Sequence, residues 1–157
     1  SDVCSSDLHE VTHAQVMATD QSDTALSIAI LNAKSLGVEV RVEFIQSNWY
    51  QALSEGNTFD LIVSNPPYIA NQDSHLFQGD LRFEPIDALT DHGSGLSCLE
   101  EIIQSAPNFL NTNGLIAVEH GYDQSNAVVE LMKKAGLRDI QTHQDLSGHY
   151  RVVSARK

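Results

Sequence analysis

Apolar positions recur along this chain at two different spacings, and each switch between them marks an element. Ala14 to Thr19 (AQVMAT) is a short apolar run closed by Asp20, which predicts a buried strand with an acid at its C-terminal tip. Ser22 and Asp23 then offer capping oxygens. Ala25, Leu26, Ile28, Ala29, Ala33 and Leu36 follow at helical spacing, and Gly37 supplies the stop. Val40, Val42 and Phe44 alternate with Arg41 and Glu43, so Glu39 to Gln46 predicts a second strand. Phe59 to Ser64 predicts a third, apolar enough for a strand covered on both faces. From Leu96 to about Leu110 the spacing is helical, with Pro107 placed to kink or end the helix. Asn113-Gly114 turns into a strand at Leu115 to Glu119, and Gln124 to Ala135 reads as an amphipathic helix ended by Gly136. Two closing strands, near Ile140–Asp145 and Tyr150–Ala155, flank Ser147-Gly148-His149. Residues 69–95 carry no clear period, and a segment that long without one is usually functional or disordered.

Strands alternating with helices, then a hairpin, predict an α/β domain with a mostly parallel sheet and an antiparallel C-terminal hairpin. Ligands of such sheets sit beyond the C-terminal strand ends. Asp20, Asn48-Trp49, Asn65-Pro66-Pro67-Tyr68 and Glu119-His120-Gly121 all fall at such ends.

Composition narrows the classes. The chain's 157 residues, 41% hydrophobic and 19% charged, suit one globular domain rather than a disordered chain. Nine basic residues against 21 acidic ones give a net charge of −12, which disfavours broad binding to a phosphate backbone. No run approaches the roughly 18 apolar residues of a membrane span. The two cysteines and seven histidines show no metal-ligand spacing, so no metal site is expected. Free thiols and no signal peptide make a cytoplasmic protein the plain reading.

Chemistry concentrates at V-S-N-P-P-Y, residues 63–68. Neither proline can donate a ladder hydrogen bond, so the strand must end there. The residue before each proline is pushed out of the helical region, which makes a stiff, extended turn. Asn65 carries an acceptor and two donors, Pro66 and Pro67 immobilise the neighbouring carbonyls, and Tyr68 adds an aromatic face. Such a turn can grip a planar amide or amino group and hold its nitrogen toward an electrophile, by positioning and electrostatics alone. Asp20 can accept hydrogen bonds from both hydroxyls of a ribose, or serve simply as a helix N-terminal acid. Trp49, the only tryptophan, can lie against an adenine or pack as an ordinary core ring.

S-N-P-P-Y after an apolar strand resembles the S-adenosylmethionine-dependent amino methyltransferases. With R-F-E-P (Arg82 to Pro85) and E-H-G (Glu119 to Gly121) at these distances, the chain from about His9 onward is similar to the HemK/PrmC-type release factor glutamine N5-methyltransferases. That resemblance implies the class I methyltransferase (Rossmann-like) sandwich, with methyl transfer from S-adenosyl-L-methionine to the Gly-Gly-Gln glutamine of peptide chain release factors. By the same resemblance Asp20 holds the cofactor's ribose, Trp49 lies beside its adenine, and Asn65 touches cofactor and substrate. The Pro66 carbonyl accepts from the glutamine amide, Pro67 and Tyr68 shape its slot, and Arg82 and Glu84 shape the substrate loop. Asn48 stands where the family often has an acid.

The family also has a glycine-rich G-x-G-x-G loop after its first strand, and this sequence contains none. Residues 1–8 match nothing in the family, so the expectation is a non-family leader followed by a partial catalytic domain over 9–157, lacking the family's first strand. Two other readings share the motif. One is a nucleic-acid amino methyltransferase acting on adenine or cytosine, which the net charge disfavours. The other is a catalytically inactive binding module of the same fold.

Overall fold

Each of the two compact units into which the chain divides, 1–55 and 56–157, contains one parallel strand pair. The computed structural model describes residues 8, 11–54, 56–71 and 85–157.

In the first unit, β1 (Val16–Asp20) pairs in parallel with β2 (Val42–Gln46), placing Asp20 opposite Gln46. Between them runs α1 (Asp23–Ser35). Ser22 caps it, its Oγ accepting from the Ala25 N–H at 3.2 Å, and Gly37 closes it at φ 68°, a left-handed conformation that costs glycine little. A small core of Leu8, Ala33 and Val38 forms beneath, with Val16, Val42 and Phe44 packed against it. The expected strand start at Glu39 is corrected: Glu39–Arg41 is a 3₁₀ turn. Val38 is buried and anchors that turn, leaving Val40 84% exposed, so the alternation at 40 does not report a sheet face. The Arg41 guanidinium donates to the carbonyls of Leu8 and Val11 at 2.6 and 2.7 Å.

The second unit holds a four-stranded sheet in the order β3-β4-β6-β5. These strands are β3 (Phe59–Ser64), β4 (Leu110–Glu119), β5 (Arg138–Gln144) and β6 (Tyr150–Arg156). β3 and β4 are parallel, whereas β6 runs antiparallel to both β4 and β5, as the closing hairpin predicts. Two helices, α2 (Ser97–Phe109) and α3 (Ser125–Lys134), pack on this sheet. Their apolar faces (Leu99, Ile102, Ile103 and Ala106; Val128, Leu131 and Met132) bury Ile116, Val118, Val153 and Ala155. Pro107 lies in the last turn of α2, where it withholds the usual i−4 donor from the Ile103 carbonyl, and the helix ends two residues later. β4 starts earlier than the Asn113-Gly114 turn implies, at Leu110. The register slips between Phe59 and Leu61, and Asn113 takes φ 65°.

Within the second unit, the described residues cover β3 on one face only. Alternate residues of a strand point to opposite sides, and both helices take the Ile116/Val118 side. Leu61 and Val63, paired with Leu115 and Ala117, are left 54% and 56% exposed. Among the described residues no hydrogen-bonded strand joins the β1–β2 sheet to the four-stranded one. No helix among them is long and apolar enough to cross a membrane.

Candidate functional site

In the first unit β1 and β2 are parallel neighbours that end in register, so Asp20 closes β1 at the end from which the turn carrying Trp49 leaves β2. One Asp20 oxygen, Oδ1, accepts from the Ser22 N–H at 2.8 Å, which starts α1. The Asp20 carbonyl accepts from the Ser47 N–H at 3.0 Å, and the Ser47 hydroxyl accepts from the Ala52 N–H at 3.0 Å. This fixes the turn after β2, in which Trp49 is half-buried and adopts φ 48°. A bulky residue in the left-handed region is strained, and such strain is tolerated where the surroundings over-determine it. Tyr50, next to it, is half-buried, and its loss of solvent holds the phenol well above the ordinary tyrosine value.

Asn65 to Tyr68 follow β3 in the second unit. Asn65 is exposed, Pro66 is buried, and Pro67 and Tyr68 are half-buried. Beyond the prolines the chain stays extended: the Ile69 N–H donates to the Leu89 carbonyl at 3.0 Å, and the Asn71 N–H to Gly93 at 3.1 Å. The turn is therefore docked on the 89–95 segment, which Asp91 folds around its own carboxylate. That carboxylate accepts from the N–H groups of Gly93 and Gly95 at 2.8 Å, from Ser97 N–H at 3.0 Å, and from the Ser97 hydroxyl. Burial pushes the Asp91 carboxyl up, but these hydrogen bonds outweigh it and hold the group below the ordinary carboxylate range.

The Tyr68 hydroxyl donates to Glu119 Oε1 at 2.9 Å. Burial chiefly, then the Glu119 hydrogen bond and charge, raise the phenol to about 12, with Arg151 pulling the other way. Tyr68 and Glu119 line one side of an open cleft of about 510 Å³; His143, Gln144, Asp145, Arg151 and Val152 complete it. Arg151 Nε lies 3.5 Å from Asp145 Oδ2. Hydrogen bonds from the His149 and Ser147 N–H groups hold Asp145 low. His120 is fully buried. Its Nδ1–H donates to the Gly121 carbonyl at 2.7 Å, and Nε2 has no hydrogen-bond partner among the described residues.

Each unit thus carries one group of the sequence-predicted residues: Asp20 and Trp49 in the first, Asn65, Pro66, Pro67 and Tyr68 in the second. Arg82 and Glu84 lie outside the described residues. The periodic reading missed the partners of Tyr68. Glu119 was visible within E-H-G, and Gly93-Ser94-Gly95 was a turn signal, but neither announces its partner in a chain without clear local spacing.

Residues 3–151 match a family described as a methyltransferase domain. A release factor glutamine methyltransferase from Bordetella pertussis is 50% identical over 139 residues, covering 88% of this chain and 51% of that protein. One from Xylella fastidiosa is 50% identical over 147 residues, covering 94% and 53%. The protein of the same name from Escherichia coli is 40% identical over 142 residues, covering 90% and 50%. The chain spans about half the length of the curated relatives it matches. Among solved structures, a methyltransferase from Pyrococcus furiosus gives a TM-score of 0.73 at 18% identity, covering 100% of this chain and 70% of that one. A ribosomal protein L11 methylase from Lactobacillus delbrueckii subsp. bulgaricus gives 0.66 at 19%, covering 98% and 65%. At these identities the structural likeness is one of fold, the class I methyltransferase α/β fold. With its family match running over most of its length, the chain belongs to the methyltransferase-domain family.

Proposed function

We propose that the protein methylates the side-chain amide nitrogen of a glutamine in peptide chain release factors, using S-adenosylmethionine. The observation that carries this reading is the Asn65–Tyr68 turn: exposed amide, buried proline, half-buried tyrosine, on a chain 50% identical over 139 residues to a release factor glutamine methyltransferase.

The residues present suit part of the cofactor. Asp20 retains a carboxylate oxygen beyond the one that Ser22 occupies, and ribose hydroxyls are the donors it would take. The half-buried Trp49 ring suits the flat face of an adenine. The sequence has no G-x-G-x-G loop, so no residue is assigned to the methionine end. When bound, the cofactor supplies an electrophilic methyl group on a sulfonium.

The protein's own part is to hold the nucleophile. The Asn65 side-chain oxygen and the Pro66 carbonyl would accept the two N–H bonds of the substrate amide. Those bonds draw electron density onto the nitrogen, fix the plane of the group and leave one face open for attack. The methylated nitrogen would then lose one proton to solvent, the two carbonyls being acceptors of hydrogen bonds and too weakly basic to take it. Rigidity matters because an acceptor displaced by about 1 Å can cost on the order of 10²-fold in rate. Pro67 and Tyr68 would wall the slot. A cytoplasmic location follows from a release factor substrate.

A methyl-transfer assay tests this, with tritiated S-adenosylmethionine offered together with release factor, a factor carrying alanine in place of the Gly-Gly-Gln glutamine, and duplex DNA. Label in the intact factor alone is expected; label in DNA, or in the alanine factor, overturns the reading. Quenching of the single tryptophan by S-adenosylmethionine, lost in Asp20→Ala, is the matching result for the cofactor residues.

A further inference from the structure

Gln124 occupies the N-cap of α3, yet its side chain caps nothing in that helix. Caps are normally Ser, Thr, Asp or Asn, whose short side chains reach back to the first free N–H groups. Glutamine is a poor choice for that task, and here its amide is spent elsewhere. Nε2 donates to the Tyr68 carbonyl at 2.9 Å and to the Gly95 carbonyl at 3.3 Å, while Oε1 accepts from the Gly121 N–H at 2.8 Å. One side chain thereby ties three backbone segments: the Asn65–Tyr68 turn, the loop that Asp91 organises, and the loop leaving β4.

The surroundings are cut to admit it. A Cβ on Gly95 would stand 2.3 Å from the Tyr68 carbonyl oxygen and 2.8 Å from Gln124 Nε2. A Cβ on Gly121 would stand 3.0 Å from Gln124 Oε1. Gly95 also takes φ 81°, so this approach needs glycine both for space and for backbone conformation.

We infer that Gln124 is a positioning residue: its donor half fixes the Tyr68 carbonyl, and with it the direction of the carbonyls in the preceding proline turn. The link to substrate rests on the amide-gripping role proposed for that turn; the link to the turn's geometry stands without it. Gln124→Glu separates the two halves of the side chain. It keeps size and the acceptor for Gly121, but it has no donor for Tyr68 and sets an anion against two carbonyls. Gln124→Leu removes both halves. Val128→Ala, at a fully buried position one turn further along the same helix, serves as the control for general loosening.

Amide hydrogen exchange followed by NMR on the full chain provides the test. In Gln124→Glu, exchange at Ile69 and Asn71 should quicken about tenfold while Gly121 stays as protected as in the wild type, tenfold being the upper range for losing one such bond. In Gln124→Leu all three sites should quicken, and in Val128→Ala they should move only together with the rest of the unit. Affinity for an N-acetyl-Gly-Gly-Gln-amide peptide should fall by a similar factor in both Gln124 variants. Wild-type protection at Ile69 and Asn71 in Gln124→Glu overturns the inference, as does a uniform change in both variants. If the wild-type chain fails to bind the peptide, the glutamine reading falls, and the exchange pattern still decides whether Gln124 sets the turn.

Discussion

Replacing Tyr68 with phenylalanine removes one hydroxyl and little else. It therefore isolates the 2.9 Å hydrogen bond to Glu119 Oε1 that ties the proline turn to the end of β4. A hydrogen bond to a charged acceptor is worth about 1.5–3 kcal/mol when well buried. Both partners are half-buried here and the cleft beside them is open, so the low end applies, about 1–1.5 kcal/mol. The assay is a double-mutant cycle of Tyr68→Phe with Glu119→Gln. Urea unfolding should be followed by far-UV circular dichroism, because the single tryptophan lies in the other unit. A coupling energy near 1 kcal/mol is expected, and strict additivity within about 0.3 kcal/mol would refute the assigned bond. The same pair sets a pH dependence. Native Tyr68 keeps its proton up to about 12 against an ordinary value of 10.0, so its contribution is whole below 10.0 and drains as pH climbs toward 12. Glu119→Gln should move the phenol's optical titration downward, since one of the causes of its shift is gone.

Asp91 should behave in the opposite sense. Its carboxyl is held below the ordinary 3.8, so its support for the Gly93–Ser97 loop is present above that value and is lost as pH falls through the lowered native one. The Gly93, Gly95 and Ser97 amide resonances should titrate together in that acid range; separate midpoints, or a common one above 3.8, would contradict the shared acceptor. Two core-sized substitutions should differ sharply in urea unfolding. Ile103→Ala, at a fully buried site on α2, should cost about 3 kcal/mol, whereas Leu61→Ala on the half-exposed face of β3 should cost under about 1 kcal/mol. Equal costs would mean that the open face of β3 is covered in solution.

Elements whose apolar residues face one partner are legible in the sequence alone. The capping Ser22, the stop at Gly37 and the hairpin at Ser147-Gly148-His149 are local signals, and local chemistry dictated each. The strand at Phe59–Ser64 was equally plain, but its apolar run implied two covered faces. Composition records what a strand can bury, and it does not record which side the helices take. Val40 misled in the same way, because Val38 had already claimed the buried position next to it. At the candidate site, the residues that end strands were found because strand ends are readable. Which of them pair, and through which side chains, was not. Glu119 lies 51 residues from Tyr68 along the chain and Gln124 lies 56, and no period connects positions that only tertiary packing brings together. Gln124 reads in the sequence only as the first residue of an amphipathic helix, which says nothing of the loops its side chain joins.

Whether the Asn65–Tyr68 turn receives a primary amide can be read directly from a Gly-Gly-Gln peptide labelled with ¹⁵N only at the glutamine side chain. Titrating the chain into that peptide should shift both NH₂ proton resonances downfield, as expected for two N–H bonds taken up by carbonyl acceptors, and Asn65→Ala should weaken the shift severalfold. An NH₂ pair that stays at its free-peptide position with the chain in excess would contradict the amide-gripping role, as would an equal shift with Asn65→Ala.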